Sequence, residues 1–339
     1  MEAIEALVLS DLKHRPGGHG VVAGLQRRGE AAEIAAAGDL EPAGAPFQPT
    51  DAFRAASVTK LVTAASVVLQ ARRGALHLTD RVLPLVRKRV PPAWQGDDGP
   101  LATVTLEELL GHRAGLPDYT FHAFEAGFLS TRPWAPEGLV GLAGEMTDRP
   151  SRGSFAYSDT GFVLLGMVLE RVESKPLNQV FREAILRPFG MEATWLEGHE
   201  PARGRLAHHG RSGRDLFALE PTFDWAGGGL ATTAADLLRL LRGLEDRGLL
   251  AEMGRWGEVP EGHPHRSLRY GLGLAEIGVE GERLVGHGGI WGAFAFLLPR
   301  TGTAFAGTVN EYGPFGVAAR PLLDSLVRLS RVARGAPAE

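Results

Sequence analysis

The chain of 339 residues contains no cysteine. Disulfide cross-links, thiolate nucleophiles and cysteine-ligated zinc are therefore excluded. Neither sign of charge is in large excess. The 36 Lys and Arg against 40 Asp and Glu give a formal net charge of −4, which provides no basic footprint for a nucleic-acid partner. No window approaches the ~18 uncharged apolar residues of a spanning helix, so no membrane partner is expected. The start, Met1-Glu2-Ala3-Ile4-Glu5, has neither the basic n-region nor the apolar h-region of a secretory leader, and a cytoplasmic location is the expectation. Internal repeats and low-complexity tracts are also absent. What remains, 44% hydrophobic and 22% charged, is ordinary globular composition with length enough for one large core or two lobes.

The chain is organised around Phe53-Arg54-Ala55-Ala56-Ser57-Val58-Thr59-Lys60 and the nearly all-apolar run to Leu69. Ser57 reads as the first residue of a buried helix, because a run apolar all round suits a helix held between layers. Gly74 reads as its stop. Lys60, three residues on, shares a helix face with Ser57. A serine at a helix N-terminus lies beside unpaired N–H groups and the positive dipole end, which stabilise developing negative charge. An amine within reach helps to remove its proton. The competing reading is an N-cap serine beside a solvated lysine. The same pattern recurs at Ser10-Asp11-Leu12-Lys13. There it falls near the end of a short amphipathic helix (Ile4, Leu7, Val8, Leu12) that Pro16-Gly17-Gly18 terminates. The dipole at that end has the wrong sign, so Ser10 is read as a decoy.

In chain order, Gly20 to Gln26 and Glu30 to Ala37 form a hairpin around Arg27-Arg28-Gly29. From about Leu76 to Trp225 strand signals vanish and short helices alternate with Pro/Gly loops. Thr105-Leu106-Glu107-Glu108 is a capping box. Asp159-Thr160 opens a helix through Val172, and Pro176 starts another that runs to Pro188. Thr233-Ala234-Ala235-Asp236 caps a helix through Gly243 or beyond. Strands return at Tyr270 to Ile277, Arg283 to His287, Ala293 to Leu298 and Thr303 to Asn310, and a last helix carries Leu322, Leu323, Leu326 and Leu329. The expected architecture is α+β. Residues 1–75 and 236–339 form one lobe with an antiparallel sheet flanked by helices, and residues 76–235 form an inserted all-helical lobe.

Two further stretches carry chemistry. In Pro150 to Asp159, Gly153 and small polar residues make a loop, and Asp159 is expected to cap the next helix, holding Tyr157 just outside a rigid helix start. A phenol is a poor base unless a cation favours phenolate, and Lys60 is the candidate cation. The bland reading is a tyrosine packed under a loop. In Val285-Gly286-His287-Gly288-Gly289-Ile290, the glycines let a ligand approach the end of a strand, whose free N–H groups suit an oxyanion.

Together, Ser57-Val58-Thr59-Lys60, Tyr157-Ser158-Asp159 and His287-Gly288-Gly289 resemble the motifs of the class C β-lactamase-like serine hydrolases, which include β-lactamases, D,D-peptidases, D-aminopeptidases and family VIII carboxylesterases. Leu109 to Pro117, Thr160-Gly161 with Leu165-Gly166, Pro188-Phe189-Gly190-Met191 and Gly227-Gly228-Gly229-Leu230 also look like the family. The resemblance implies a β-lactamase/transpeptidase-like fold. It implies Ser57 as the acylated nucleophile, with Lys60 and Tyr157 sharing the base work and Tyr157 returning the proton. The N–H groups of Ser57 and Ile290 would form the oxyanion hole, and His287, with Gly288 and Gly289, would line the pocket and orient the substrate or Tyr157. Asp159 stands where the family commonly has an asparagine that touches substrate and lysine, and His287 stands where β-lactamases usually carry lysine.

Trp225 and Trp291 either wall the acyl pocket or pack in the core. His208-His209 and His263-Pro264-His265 lack a carboxylate at ligand spacing, so no metal is assigned, and no cofactor is implied. The expected function is an acyl-serine carboxylesterase on small or short-chain esters. A β-lactamase, D-aminopeptidase or D,D-peptidase would use the same chemistry, and a binding module that is acylated without turnover is the alternative of another class. The missing leader and His287 argue against cell-wall substrates. Acyl-chain length, stereochemistry and oligomeric state are not legible.

Overall fold

A computed structural model of the chain describes residues 2–15, 20–42, 44–120, 132–211 and 213–332. The strands in chain order are β1 (Gly20–Gln26), β2 (Glu33–Gly38), β3 (Phe53–Arg54), β4 (Trp195–Leu196), β5 (Gly210–Arg211), β6 (Arg214–Asp215), β7 (Leu230–Thr232), β8 (Gly257–Glu258), β9 (Arg269–Tyr270), β10 (Ala275–Val279), β11 (Glu282–Gly288), β12 (Phe294–Leu298) and β13 (Thr303–Thr308). The helices used below are α1 (Glu2–Lys13), α2 (Thr59–Arg72), α3 (Leu106–Leu110), α4 (Asp159–Glu173), α5 (Trp225–Gly228), α6 (Ala234–Asp246), α7 (Leu249–Met253) and α8 (Arg320–Val332).

Both ends of the chain build one eight-stranded sheet in the order β2-β1-β13-β12-β11-β10-β9-β8, with antiparallel pairing throughout. Its central strands β1, β12 and β13 are buried on both faces, so they read as continuous apolar runs whose alternate residues serve two cores. Val21, Ala23, Leu25, Phe294, Phe296 and Phe305 pack with Ile4 and Val8 of α1 and Leu322 and Leu326 of α8. Their neighbours Val22, Ala295, Leu297, Ala304 and Ala306 face the other way, into the large core shared with α2, α4 and α6. In β12 and β13 the phenylalanines lie on the outer face and the alanines on the inner face, which lets the inner helices approach the sheet closely.

The α2 helix is buried from Thr59 to Val68, and α4 from Asp159 to Leu169. Both are sandwiched elements, as an apolar run without a polar stripe requires. The capping box at Thr105 opens α3, and Thr233 accepts the Asp236 N–H at the start of α6. The structure revises the expected elements at two places. The stretch from 76 to 225 is mainly helical but also holds the two-residue strands β4, β5 and β6. There β4 pairs with β7, which pairs in turn with β3 just ahead of Ser57. Strands this short leave no alternation to detect. The expected strand Tyr270 to Ile277 is two strands, because the residues between them turn inward and the N–H groups of Leu272 and Gly273 bond the Met253 and Leu110 carbonyls. The Pro16-Gly17-Gly18 stop of α1 lies outside the described residues. No described helix is long and apolar enough to cross a membrane.

Phe305 is fully buried between the sheet and the outer helices. Phe305→Ala is expected to cost about 3–5 kcal/mol through lost transfer energy and a residual cavity. Urea unfolding checks this, and an unchanged midpoint would show that the outer layer adds little to the fold.

Candidate active site

Ser57 lies half-buried in a 3-10 turn, Ala56–Val58, that runs directly into α2. It is therefore one residue outside the α-helix proper, and its N–H is among the first, unpaired donors of the turn. Ala56 precedes it at φ +46°, a left-handed conformation that non-glycine residues avoid and that structures keep mainly at functional sites. The turn is anchored by the Ala55 N–H on the Leu230 carbonyl (2.8 Å) and by the Thr59 hydroxyl accepting the Leu230 N–H (3.2 Å).

Lys60 is completely buried. Its Nζ donates to Ser57 Oγ (3.0 Å), to the Gly227 carbonyl (2.9 Å) and to Asp159 Oδ1. Three N–H bonds meet three acceptors, which is the complement of an ammonium. Asp159 was expected to cap α4 and does not. Ser158 occupies the N-cap position with no side-chain cap bond, and Asp159 is the first helical residue. Its carboxylate instead neutralises Lys60, favoured by the positive end of the helix.

Tyr157 Oη donates to Ser57 Oγ (2.9 Å), so the hydroxyl, amine and phenol singled out in the sequence converge. Lys60 does not make Tyr157 a phenolate. Its Nζ lies 4.9 Å from the centre of the tyrosine ring, over the face. Burial first, then the Asp159 charge, push the phenol well above its ordinary value despite the bond with Ser57.

The third motif closes the site from the sheet. Gly289 lies directly against the nucleophile turn: a Cβ there would fall 2.5 Å from the Ala55 carbonyl oxygen and 3.0 Å from the Ala56 Cβ. Only glycine fits this approach, and Ala55 and Ala56 must be small for the same reason. The following turn bonds the Gly289 N–H to Ala293 O (2.7 Å) and the Gly292 N–H to Gly289 O (3.0 Å). Among the described residues these turn bonds do not use the Ile290 N–H.

His287 does not reach Tyr157 by a hydrogen bond; their ring centres are 6.3 Å apart. It belongs to a buried chain that the sequence reading did not find. The Ser158 N–H donates to His112 Nδ1 (3.2 Å), so that nitrogen is bare and the proton is on Nε2. His112 Nε2 then donates to Tyr270 Oη (3.2 Å), and Tyr270 donates to His287 Nε2 (2.9 Å). His287 Nδ1 donates to the Gly288 carbonyl (2.8 Å). Every donor points one way, from the residue after Tyr157 to the residue before Gly289. Both histidines are neutral: burial and then the Lys60 charge hold His112 well below its usual range and His287 at about 3. His265, also held neutral by burial, stacks on the Tyr157 ring at 4.7 Å. His112 lies within the quoted stretch Leu109 to Pro117. Tyr270 and His265 had no local signal beyond proximity to glycine or proline.

The remaining candidates separate cleanly. Trp225 is core, buried and packed against α4. Trp291 lines a cleft with Arg54, Glu197 and Asp224. His208 bonds Asp215 (2.8 Å) and stacks on Phe217, and His209 bonds Arg54 (3.3 Å). Among the described residues no three or more His, Asp and Glu are grouped as metal ligands. Ser10 is exposed on α1, in the outer layer.

A family model described as Beta-lactamase matches residues 8–328. The chain superposes on the D-amino acid amidase of Ochrobactrum anthropi SV3 with a TM-score of 0.86, at 24% identity over 98% of this chain and 99% of that one. With the D-stereospecific amidohydrolase from Streptomyces sp. the TM-score is 0.78, at 26% identity over 96% and 97%. Esterase EstB of Burkholderia gladioli is 30% identical over 205 residues, 56% of this chain and 50% of the esterase. The chain spans half or less of the length of the first curated relatives it matches.

Tyr270→Phe removes the middle of the buried chain and leaves a His112 donor unpaired. The expected result is a roughly tenfold fall in kcat with KM little changed, and a stability loss of about 1–3 kcal/mol from the unpaired group. A wild-type kcat would show that the chain does not position the catalytic groups.

Proposed function

This chain belongs to the β-lactamase family, a family of serine hydrolases, and we propose that it hydrolyses small esters or amides through an acyl-enzyme at Ser57, as a carboxylesterase in the first instance. One observation carries the reading: Ser57 Oγ accepts bonds from both Lys60 Nζ (3.0 Å) and Tyr157 Oη (2.9 Å) beside an unpaired helix start.

The resting geometry dictates the proton path. Lys60 is an ammonium with its three donors engaged, and Tyr157 is a neutral phenol. Tyr157 therefore works as a shuttle. Ser57 Oγ bonds to the substrate carbonyl carbon as its proton passes to Tyr157 Oη and, in the same event, the phenol's own proton passes to the leaving oxygen or nitrogen, so that Tyr157 never holds two protons, and the carbonyl electron pair moves onto oxygen. The N–H groups of Ser57 and Ile290 receive that oxyanion. The electron pair then returns to the carbonyl as the bond from carbon to the protonated leaving group breaks, which leaves the acyl-enzyme and a neutral tyrosine. Water then repeats the sequence in reverse: its proton passes to Tyr157, the tyrosine proton returns to Ser57 Oγ, and the acid departs. Lys60 stays charged throughout and stabilises the alkoxide character of Oγ.

His287 favours neutral substrates over β-lactams. With a neutral ring whose two nitrogens are both bonded, it offers no cation to a β-lactam carboxylate.

Ser57→Ala is expected to lower turnover of p-nitrophenyl butyrate by about 10⁴–10⁶, and Tyr157→Phe by at least ~10², with both variants folded by circular dichroism. If Ser57→Ala keeps most of the rate, the nucleophile lies elsewhere; a wild-type rate for Tyr157→Phe would remove the phenol from the proton path. Nitrocefin turnover faster than ester turnover would overturn the preference for esters.

A further inference from the structure

The stretch His263-Pro264-His265 plays no part in the proton path, yet it ends against it. His265 is buried, and its ring stacks on the Tyr157 ring with centres 4.7 Å apart and planes 29° from parallel. The backbone around it is tightly folded. The Arg266 N–H donates to the His263 carbonyl (3.0 Å), and the His265 N–H donates to His263 Nδ1 (3.1 Å). Arg266 then takes φ +55°, a left-handed conformation that non-glycine residues avoid and that structures keep mainly at functional sites. This bend turns Ser267 back onto the histidine: its Oγ lies 2.6 Å from His265 Nδ1, and Ser267 is itself buried. The imidazole is therefore held at its edge by a hydrogen bond while its face rests on the phenol.

What holds the phenol changes during the reaction. In the free protein Tyr157 Oη donates to Ser57 Oγ at 2.9 Å, which points the phenol at the nucleophile. Acylation consumes that bond. Oγ of the acyl-enzyme is an ester oxygen, with no proton and with lone pairs drawn into the carbonyl, so it accepts hydrogen bonds poorly. Deacylation still needs the phenol in the same place, because water's proton passes to Oη as the phenol's own proton passes to Oγ. Contacts to the ring do not depend on the state of Oγ. His112 rests on the ring at 4.2 Å, tilted by 39°, and is committed to the buried chain through Tyr270. His265 is the stacked contact. Burial, then the His287 charge, hold His265 well below its usual range, so two uncharged rings meet and the stack leaves the phenol proton free to move.

We infer that His265 is a positioning residue for deacylation: its ring, held by Ser267, keeps Tyr157 within reach of Ser57 Oγ while the acyl group is attached. The inference rests on Ser57 as the nucleophile and on Tyr157 as the shuttle. His265 transfers no proton; it acts through the face of its ring.

Two variants separate the ring from its nitrogens. His265→Phe keeps a ring, and His265→Gln keeps a polar end for Ser267. At saturating p-nitrophenyl butyrate, turnover is measured together with the butyrylated fraction of the protein, read by acid quench and intact mass. Deacylation is turnover divided by that fraction, and acylation is turnover divided by the remainder. His265→Gln is expected to slow deacylation by about ten- to a hundredfold while acylation changes by less than about threefold, so that acyl-enzyme accumulates. His265→Phe is expected to stay within about threefold of the parent in both steps. Parent-rate deacylation in His265→Gln, or an equal loss in both steps, overturns the inference, since a merely structural role would not split the two. A His265→Phe protein as slow as His265→Gln overturns it too and assigns the work to an imidazole nitrogen. Ser267→Ala, which loosens the ring without removing it, is expected to move in the same direction as His265→Gln. Should His265→Gln not fold, parent-rate deacylation in Ser267→Ala overturns the inference in its place. Failure of the acyl-enzyme reading shows separately, as p-nitrophenyl butyrate turnover that survives Ser57→Ala with no butyryl mass on the protein.

Discussion

The buried ammonium of Lys60 is the constraint around which the site is built. Desolvating a charge of this size costs several kcal/mol even after relaxation, and the chain meets that cost with three acceptors from three separate segments. Ser57 comes from the turn before α2, Asp159 from the start of α4, and the Gly227 carbonyl from α5. Removing any one leaves an unsatisfied donor in a dry interior. The same requirement that stabilises the lysine therefore fixes the nucleophile against the two helices that carry the rest of the chemistry. It also explains why Gly227 has no side chain: a Cβ there would press to 2.6 Å from Asp159 Oδ1.

The other half of the site is held by the opposite means. The chain from the Ser158 N–H through His112, Tyr270 and His287 to the Gly288 carbonyl contains no charge. Protonating either histidine would place two donors where the chain offers one acceptor, and would set a second cation near Lys60. Burial thus keeps the relay neutral, and the relay's direction fixes both tautomers. A charged half organised by Lys60 and a neutral half organised by Tyr270 meet at Tyr157, which touches Ser57 on one side and stacks on neutral His265 on the other.

Much of this is legible in the sequence. Ser57, Lys60 and Tyr157 were readable because each sits in a short motif whose local geometry, a helix start or a loop ahead of one, is set by neighbours in sequence. The sheet was readable because β10 to β13 and the N-terminal hairpin are long enough for their apolar runs to stand out. The two- and three-residue strands β3, β4 and β7 were not, since pairing of that length is decided by packing. The partner of Asp159 was misread for a related reason. A helix-start carboxylate next to a serine has two outlets, the local N–H groups and a distant cation, and the sequence displays only the first. His112 and His265 come from two loops and Tyr270 from the short strand β9, and nothing local marks them as neighbours.

Two departures from the motifs the chain resembles are physically coupled. Asp159 stands where asparagine is common, and His287 where β-lactamases usually carry lysine. An asparagine and a lysine would leave the site with two cations, Lys60 and the third-motif lysine, and no carboxylate between them. Here Asp159 cancels Lys60 and neutral His287 adds nothing. The site as built holds no net positive charge, and the neighbouring Arg54 charge is cancelled by Glu197. A site balanced in this way offers no attraction to an anionic substrate and costs a neutral one nothing. The selectivity expected of the site thus follows from which charges the fold has paired with one another.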